Sequence, residues 1–127
     1  YSCLNFITLQ NIIEKVSGQS LREFARENLF DVLGMDHTDY LPTVRDKKGN
    51  WINTSDAHWT SMTEGDWHSL IAPTEKQAND QVLLGQVHDP LARIMNGGIS
   101  GNAGVFSCAE DIAILCAALQ NGVASVF

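Results

Sequence analysis

The chain has 127 residues, 44% of them hydrophobic and 18% charged, with a net charge of −7. This composition excludes a disordered or fibrous chain and suits one domain around one core. With 8 Lys and Arg against 15 Asp and Glu, no basic surplus exists to displace counterions, so neither a nucleic-acid partner nor an anionic membrane surface is expected.

The first predicted element is a helix. Phe6, Leu9, Ile12, Ile13 and Val16 recur at helical spacing, and Gly18 supplies a stop. Ser20 and Glu23 then read as a capping box, each satisfying a free amide of the other's neighbourhood. The second helix carries Leu21, Phe24, Ala25, Leu29 and Leu33 inward and ends at Gly34. Only Gly18 and Gln19 separate the two helices, so they should pack as neighbours.

From Asp36 to about Glu75 the pattern weakens. "RDKKGNWINTSD" (Arg45 to Asp56) holds a Gly-Asn turn signal and reads as a small hairpin or an extended loop. Asp56 to Leu70 has room for a helical turn. Roughly 40 weakly patterned residues in a small domain suggest a surface that serves a partner domain or a site. A short helix is expected at Leu91 to Met95, with Pro90 near its first turn. "GGISGNAG" (Gly97 to Gly104) requires a tight backbone turn. Ser107 and Glu110 read as a second capping box, opening a helix with Ala109, Ile112, Ala113, Leu115, Cys116 and Leu119 on its apolar side and Gly122 at its end. The expected fold class is mainly α, with at most a small hairpin, in one helical domain over residues 1–127. No apolar run reaches the length of a membrane span. No basic-then-apolar segment opens the chain, which itself says nothing about export.

The chemical motifs are mostly negative. No serine has a lysine three residues on, and "GISGN" misses G-x-S-x-G at Asn102, so the chain contains no complete serine-hydrolase site. His37, His58, His68 and His88 form neither H-x-x-x-H nor H-E-x-x-H, and no metal or cofactor is expected. "GGISGNAG" lacks the phosphate-loop lysine and the G-x-G-x-x-G spacing, so it reads as a structural turn. Cys3, Cys108 and Cys116 are odd in number and lack C-x-x-C spacing, which argues against a disulfide framework. Trp51, Trp59 and Trp67 recur every eight residues, as loop packing or as a recognition face. Tyr1 is either an incidental residue or, in a positively charged site, a general base.

Several stretches, taken in order, resemble the serine β-lactamase and penicillin-binding-protein-like hydrolases. The branch is that of class C β-lactamases, DD-peptidases and related esterases. "YSCLNFITLQNIIEKVSGQSLREFARENLFDVLGMDHTDY" is similar to the branch's Tyr-Ser-Asn/Asp segment and the two helices after it. "IAPTE", "GQVHDPLA", "GGISGNAGVFS" and "AEDIAIL" are similar to later landmarks in the same order. The resemblance covers nearly the whole chain except about Val44 to Leu70. It implies the helical subdomain of a β-lactamase/transpeptidase-like fold, with Ser-x-x-Lys before it and Lys-Thr-Gly or His-x-Gly after it.

On that resemblance Tyr1 is the catalytic general base. Cys3 takes the place of the usual Asn or Asp, and cysteine is a weak donor and acceptor. His88 and Asp89 belong to the loop that rims the substrate cleft. Asn102 stands where relatives often carry His. The implied partners are a small-molecule or peptide carbonyl substrate and the rest of a parent chain, and family members work at the cell envelope or outside the cytoplasm. The segment alone is expected to be silent, because it lacks the nucleophile and the oxyanion donors. The alternative is a non-catalytic helical binding module, self-associating through an exposed apolar face. A metal-dependent enzyme using the histidines is the third possibility.

Overall fold

The computed structural model describes residues 1–40 and 71–122, together with the backbone of two short strands at 43–45 and 51–53. The described residues are mainly helical, with short antiparallel strand pairs. They divide into two compact units, Tyr1–Tyr40 with Val105–Phe127, and Leu41–Gly104.

The first unit opens with helix α1, Cys3–Ser17. Its stop is Gly18, whose φ of 73° is left-handed and whose N–H donates to the Glu14 carbonyl. Ser20 caps the next helix as expected. The Glu23 N–H donates to Ser20 Oγ at 3.3 Å, and the Ser20 N–H donates to Glu23 Oε2 at 3.0 Å. Glu14 joins the two helices, accepting the Leu21 N–H at 3.0 Å and the Gln10 amide at 3.1 Å.

The Ser20 hydroxyl and then the Ser20 amide hold the Glu23 carboxyl below its ordinary range. A depressed carboxylate stabilises the fold above its ordinary range, and that contribution disappears as pH falls through the folded value. Ser20→Ala should cost about 1 kcal/mol at neutral pH. The gap between variant and parent should narrow on acidification, as read by urea unfolding at stepped pH. A gap independent of pH would remove the reciprocal box.

The second helical run does not keep one winding. It comprises α2 (Leu21–Ala25), a π-helical turn (Arg26–Phe30) and α3 (Asp31–Leu33), closed by left-handed Gly34. The Asp31 N–H reaches the Arg26 carbonyl, five residues back. A π turn takes in an extra residue and shifts the inward face. Phe30 is therefore buried where the helical period pointed to Leu29, which is half-buried. Among the described residues of this unit, Leu21, Phe30, Met35 and Tyr40 are the buried apolar ones.

Strand β1 (Asp39–Tyr40) pairs antiparallel with β6 (Val105–Phe106), in the register Asp39 to Phe106 and Tyr40 to Val105. Helix α5, Ala109–Asn121, follows. The expected capping box at its start does not form. Cys108 is the extended N-cap with no side-chain cap bond, and the Ser107 hydroxyl pairs with Thr38 Oγ1 at 2.7 Å. The helix begins one residue later than Ser107 would need, which leaves that hydroxyl to Thr38, just ahead of β1.

The apolar stripes of both long helices remain open. Val16 is 83% exposed on α1 and Leu119 61% on α5, and Leu9, Ile12 and Ile112 are also exposed. Among the described residues no helix is long and apolar enough to cross a membrane.

The second unit holds the hairpin β2 (Thr43–Arg45) and β3 (Trp51–Asn53), paired Thr43 to Asn53 and Arg45 to Trp51. The pairing matches the hairpin alternative expected for Arg45 to Asp56, and among the described residues it is one of three strand pairs. The helical turn expected between Asp56 and Leu70, with Trp59 and Trp67, lies outside the described residues. Strands β4 (Glu75–Lys76) and β5 (Val82–Leu83) pair Glu75 to Leu83 and Lys76 to Val82. Helix α4, Pro90–Met95, starts with Pro90 in its first turn and buries Ala92.

The glycine-rich stretch makes the expected tight turn. Gly98 adopts φ 89° and donates to the Ala92 carbonyl at 2.9 Å, closing α4. Buried Ser100 accepts from the Asn96 amide at 2.8 Å and donates to Asn102 Oδ1 at 2.7 Å.

Candidate functional site

The candidate residues fall two in each unit. Tyr1 precedes α1, extended Ser2 separates it from the helix, and half-buried Cys3 is the first helical residue. The Tyr1 ring stacks on Phe6 with centroids 5.4 Å apart and planes at 28°. Even so, Tyr1 is 94% exposed. Stacking fixes the ring's direction while the phenol edge stays accessible to an incoming group.

In the second unit, Asp89 is the N-cap of α4. Its Oδ1 accepts the Ala92 N–H at 2.8 Å. Arg93 donates to the Val87 carbonyl at 2.9 Å and the His88 carbonyl at 3.1 Å, so the chain entering α4 is pinned from below. The exposed His88 ring presents Nδ1 to Glu75 Oε2 at 3.6 Å, and the Gln77 amide donates to the same oxygen. Thr74 Oγ1 donates to the Gln86 carbonyl at 2.9 Å. These contacts join the "IAPTE" and "GQVHDPLA" stretches into one small platform with the His88 imidazole at its edge.

The first unit also holds a polar network built by residues far apart in the chain. Asp111 is buried on the first turn of α5. Its Oδ2 accepts the His37 N–H at 2.9 Å and the Thr38 hydroxyl at 2.6 Å. His37, Cys108 and Asp111 each bring one ligand atom to within 4.8 Å of the others. Beside this network the Arg22 guanidinium clasps Asp39, Nε to Oδ1 at 3.0 Å and Nη2 to Oδ2 at 2.7 Å. Burial first, and the Asp39 charge second, push the Tyr40 phenol up to about 12.

Residues 1–125 match the family model described as "Beta-lactamase". The chain belongs to the β-lactamase family. It is 34% identical over 122 residues to a protein of Escherichia coli K12 named "Putative D-alanyl-D-alanine carboxypeptidase", covering 96% of this chain and 26% of that protein. A protein of the same name from Salmonella agona is 31% identical over the same share of this chain and 27% of its own length. The chain thus spans about a quarter of the length of the curated relatives that it matches. No solved structure gives a significant match.

Proposed function

We propose that these residues are the helical subdomain of a longer serine acyl-transfer hydrolase acting on a peptide carbonyl of the D-alanyl-D-alanine type. The family match over residues 1–125 carries the reading. The name shared by relatives that match 96% of this chain supports the substrate class.

In the reaction, a serine from a Ser-x-x-Lys segment outside these residues attacks the carbonyl. The Tyr1 phenolate accepts the serine proton and returns it to the leaving amine, and water then releases the acyl group. Accessibility of the Tyr1 phenol edge suits a group that must meet a serine from another part of the protein. His88 reads substrate from the cleft rim. Asp89 serves it indirectly, by holding the start of α4. The open faces of α1 and α5 are covered by the remainder of the longer chain.

The test is covalent labelling of the longer protein with a fluorescent penicillin, alongside D-alanine release from a peptide ending in D-alanyl-D-alanine. Both signals are expected from the longer protein and neither from the 127-residue chain. If the longer protein gives neither, the non-catalytic helical module takes its place, as the exposed apolar residues of α1 would then favour.

Cys3 makes a second, graded expectation. A thiol holds substrate amides poorly. Cys3→Asn in the longer protein should raise the penicillin acylation rate roughly tenfold, the worth of about one good hydrogen bond to the reacting complex. An unchanged or lower rate would show that the third position of the motif does not touch substrate.

A further inference from the structure

We propose that His37, Cys108 and Asp111 form a binding site for one borderline divalent metal ion, with zinc as the ion best suited to the donors. The three residues come from two segments that the β1–β6 pairing brings together. His37 lies just ahead of β1, and Cys108 and Asp111 stand one helical turn apart at the start of α5. Their ligand atoms lie within 4.8 Å of one another. Nitrogen, thiolate and carboxylate around a tetrahedral zinc stand roughly 3.3–3.8 Å apart, given metal–ligand bonds of about 2.0–2.3 Å. Closing that gap needs small rotamer changes at exposed His37 and half-buried Cys108, while buried Asp111 stays fixed.

The surroundings hold the carboxylate in place. The His37 N–H and the Thr38 hydroxyl both donate to Asp111 Oδ2, and Ser107 Oγ lies 2.7 Å from Thr38 Oγ1. Such donors orient a ligating carboxylate. The positive end of the α5 dipole opposes a cation here, and Glu110 and Asp111 in the first turn offset it. Glu110 also competes for the thiol, although its Oε2 stands 4.0 Å from Cys108 Sγ, a weak contact. The donor set is soft enough at sulfur to prefer zinc to magnesium or calcium. Three protein ligands leave a fourth position for water or for a further group.

Cobalt(II) titration of the purified protein reads the site directly, because a cobalt–thiolate bond gives a charge-transfer band. One equivalent should produce that band, and zinc should displace it. Cys108→Ser should abolish the band and weaken zinc binding at least tenfold by calorimetry. Cys3→Ser and Cys116→Ser should leave both intact. Asp111→Asn is a poor probe, since Asp111 supports the approach to β1. His37→Ala is the better second variant: the backbone N–H to Asp111 remains, and only the imidazole is lost. It too should weaken zinc tenfold or more, and it should lose the rise in Tm that zinc gives the parent. A titration with no thiolate band, or zinc affinity unchanged in both variants, overturns the site.

Discussion

Replacing Arg22 with Met is expected to destabilise the protein by about 3–5 kcal/mol, the cost of leaving a buried charge without its partner. The side chains of Arg22 and Asp39 are only 13% and 2% exposed, so water does little to screen or replace the pairing. The guanidinium meets both carboxylate oxygens, a two-pronged geometry that lysine cannot copy. The pair ties α2 to β1, and β1 in turn meets β6. Its loss therefore reaches from the capped helix start to the strand beside α5. Urea unfolding followed by circular dichroism measures the effect. The double variant Arg22→Met with Asp39→Leu should recover much of the lost stability, because neither position then leaves a charge without its partner. A single variant within about 0.5 kcal/mol of the parent would show that the pair is solvated in solution.

Local signals in the sequence located the helices well and the contacts between distant segments poorly. Gly18, Gly34 and the Ser20–Glu23 box are decided within four residues of chain, and each is where short-range chemistry puts it. Pro90 and Asp89 fix the start of α4 in the same way. The π turn at Arg26–Phe30 left no comparable sign, because the residues there suit α and π winding alike, and the shift it makes brings Phe30 inward. Ser107 carried a local capping signal that a distant partner overrode, since Thr38 reaches its hydroxyl across the β1–β6 pair. The Asp111 network failed to show for the same reason: His37 and Asp111 lie 74 residues apart. The acidic residue in the first turn of α5 was the available hint, and it pointed equally well to the helix dipole. Tyr1, Cys3, His88 and Asp89 became candidates through family resemblance. Of these, Asp89 has a structural task visible in the sequence itself, as the residue before a helix-starting proline.

The largest functional effect is expected from Tyr1→Phe in the longer protein. Removing one oxygen abolishes proton transfer at that position while leaving the ring. The stack on Phe6 depends on ring faces, not on the hydroxyl, so the start of α1 should survive the change. General-base assistance contributes about 10²–10⁴-fold, and acylation by penicillin should fall by that order. The loss should appear in the acylation step, with the affinity of the non-covalent complex little altered, because the proton moves only as the serine attacks. His88→Ala gives the contrasting result. An exposed imidazole at the platform edge should change the ranking of peptide and penicillin substrates while leaving the acylation step within about tenfold of the parent. The pair of variants separates chemistry from recognition. Intact acylation in Tyr1→Phe would remove the phenol from the mechanism, and the proton would then have to leave through the lysine of the Ser-x-x-Lys segment.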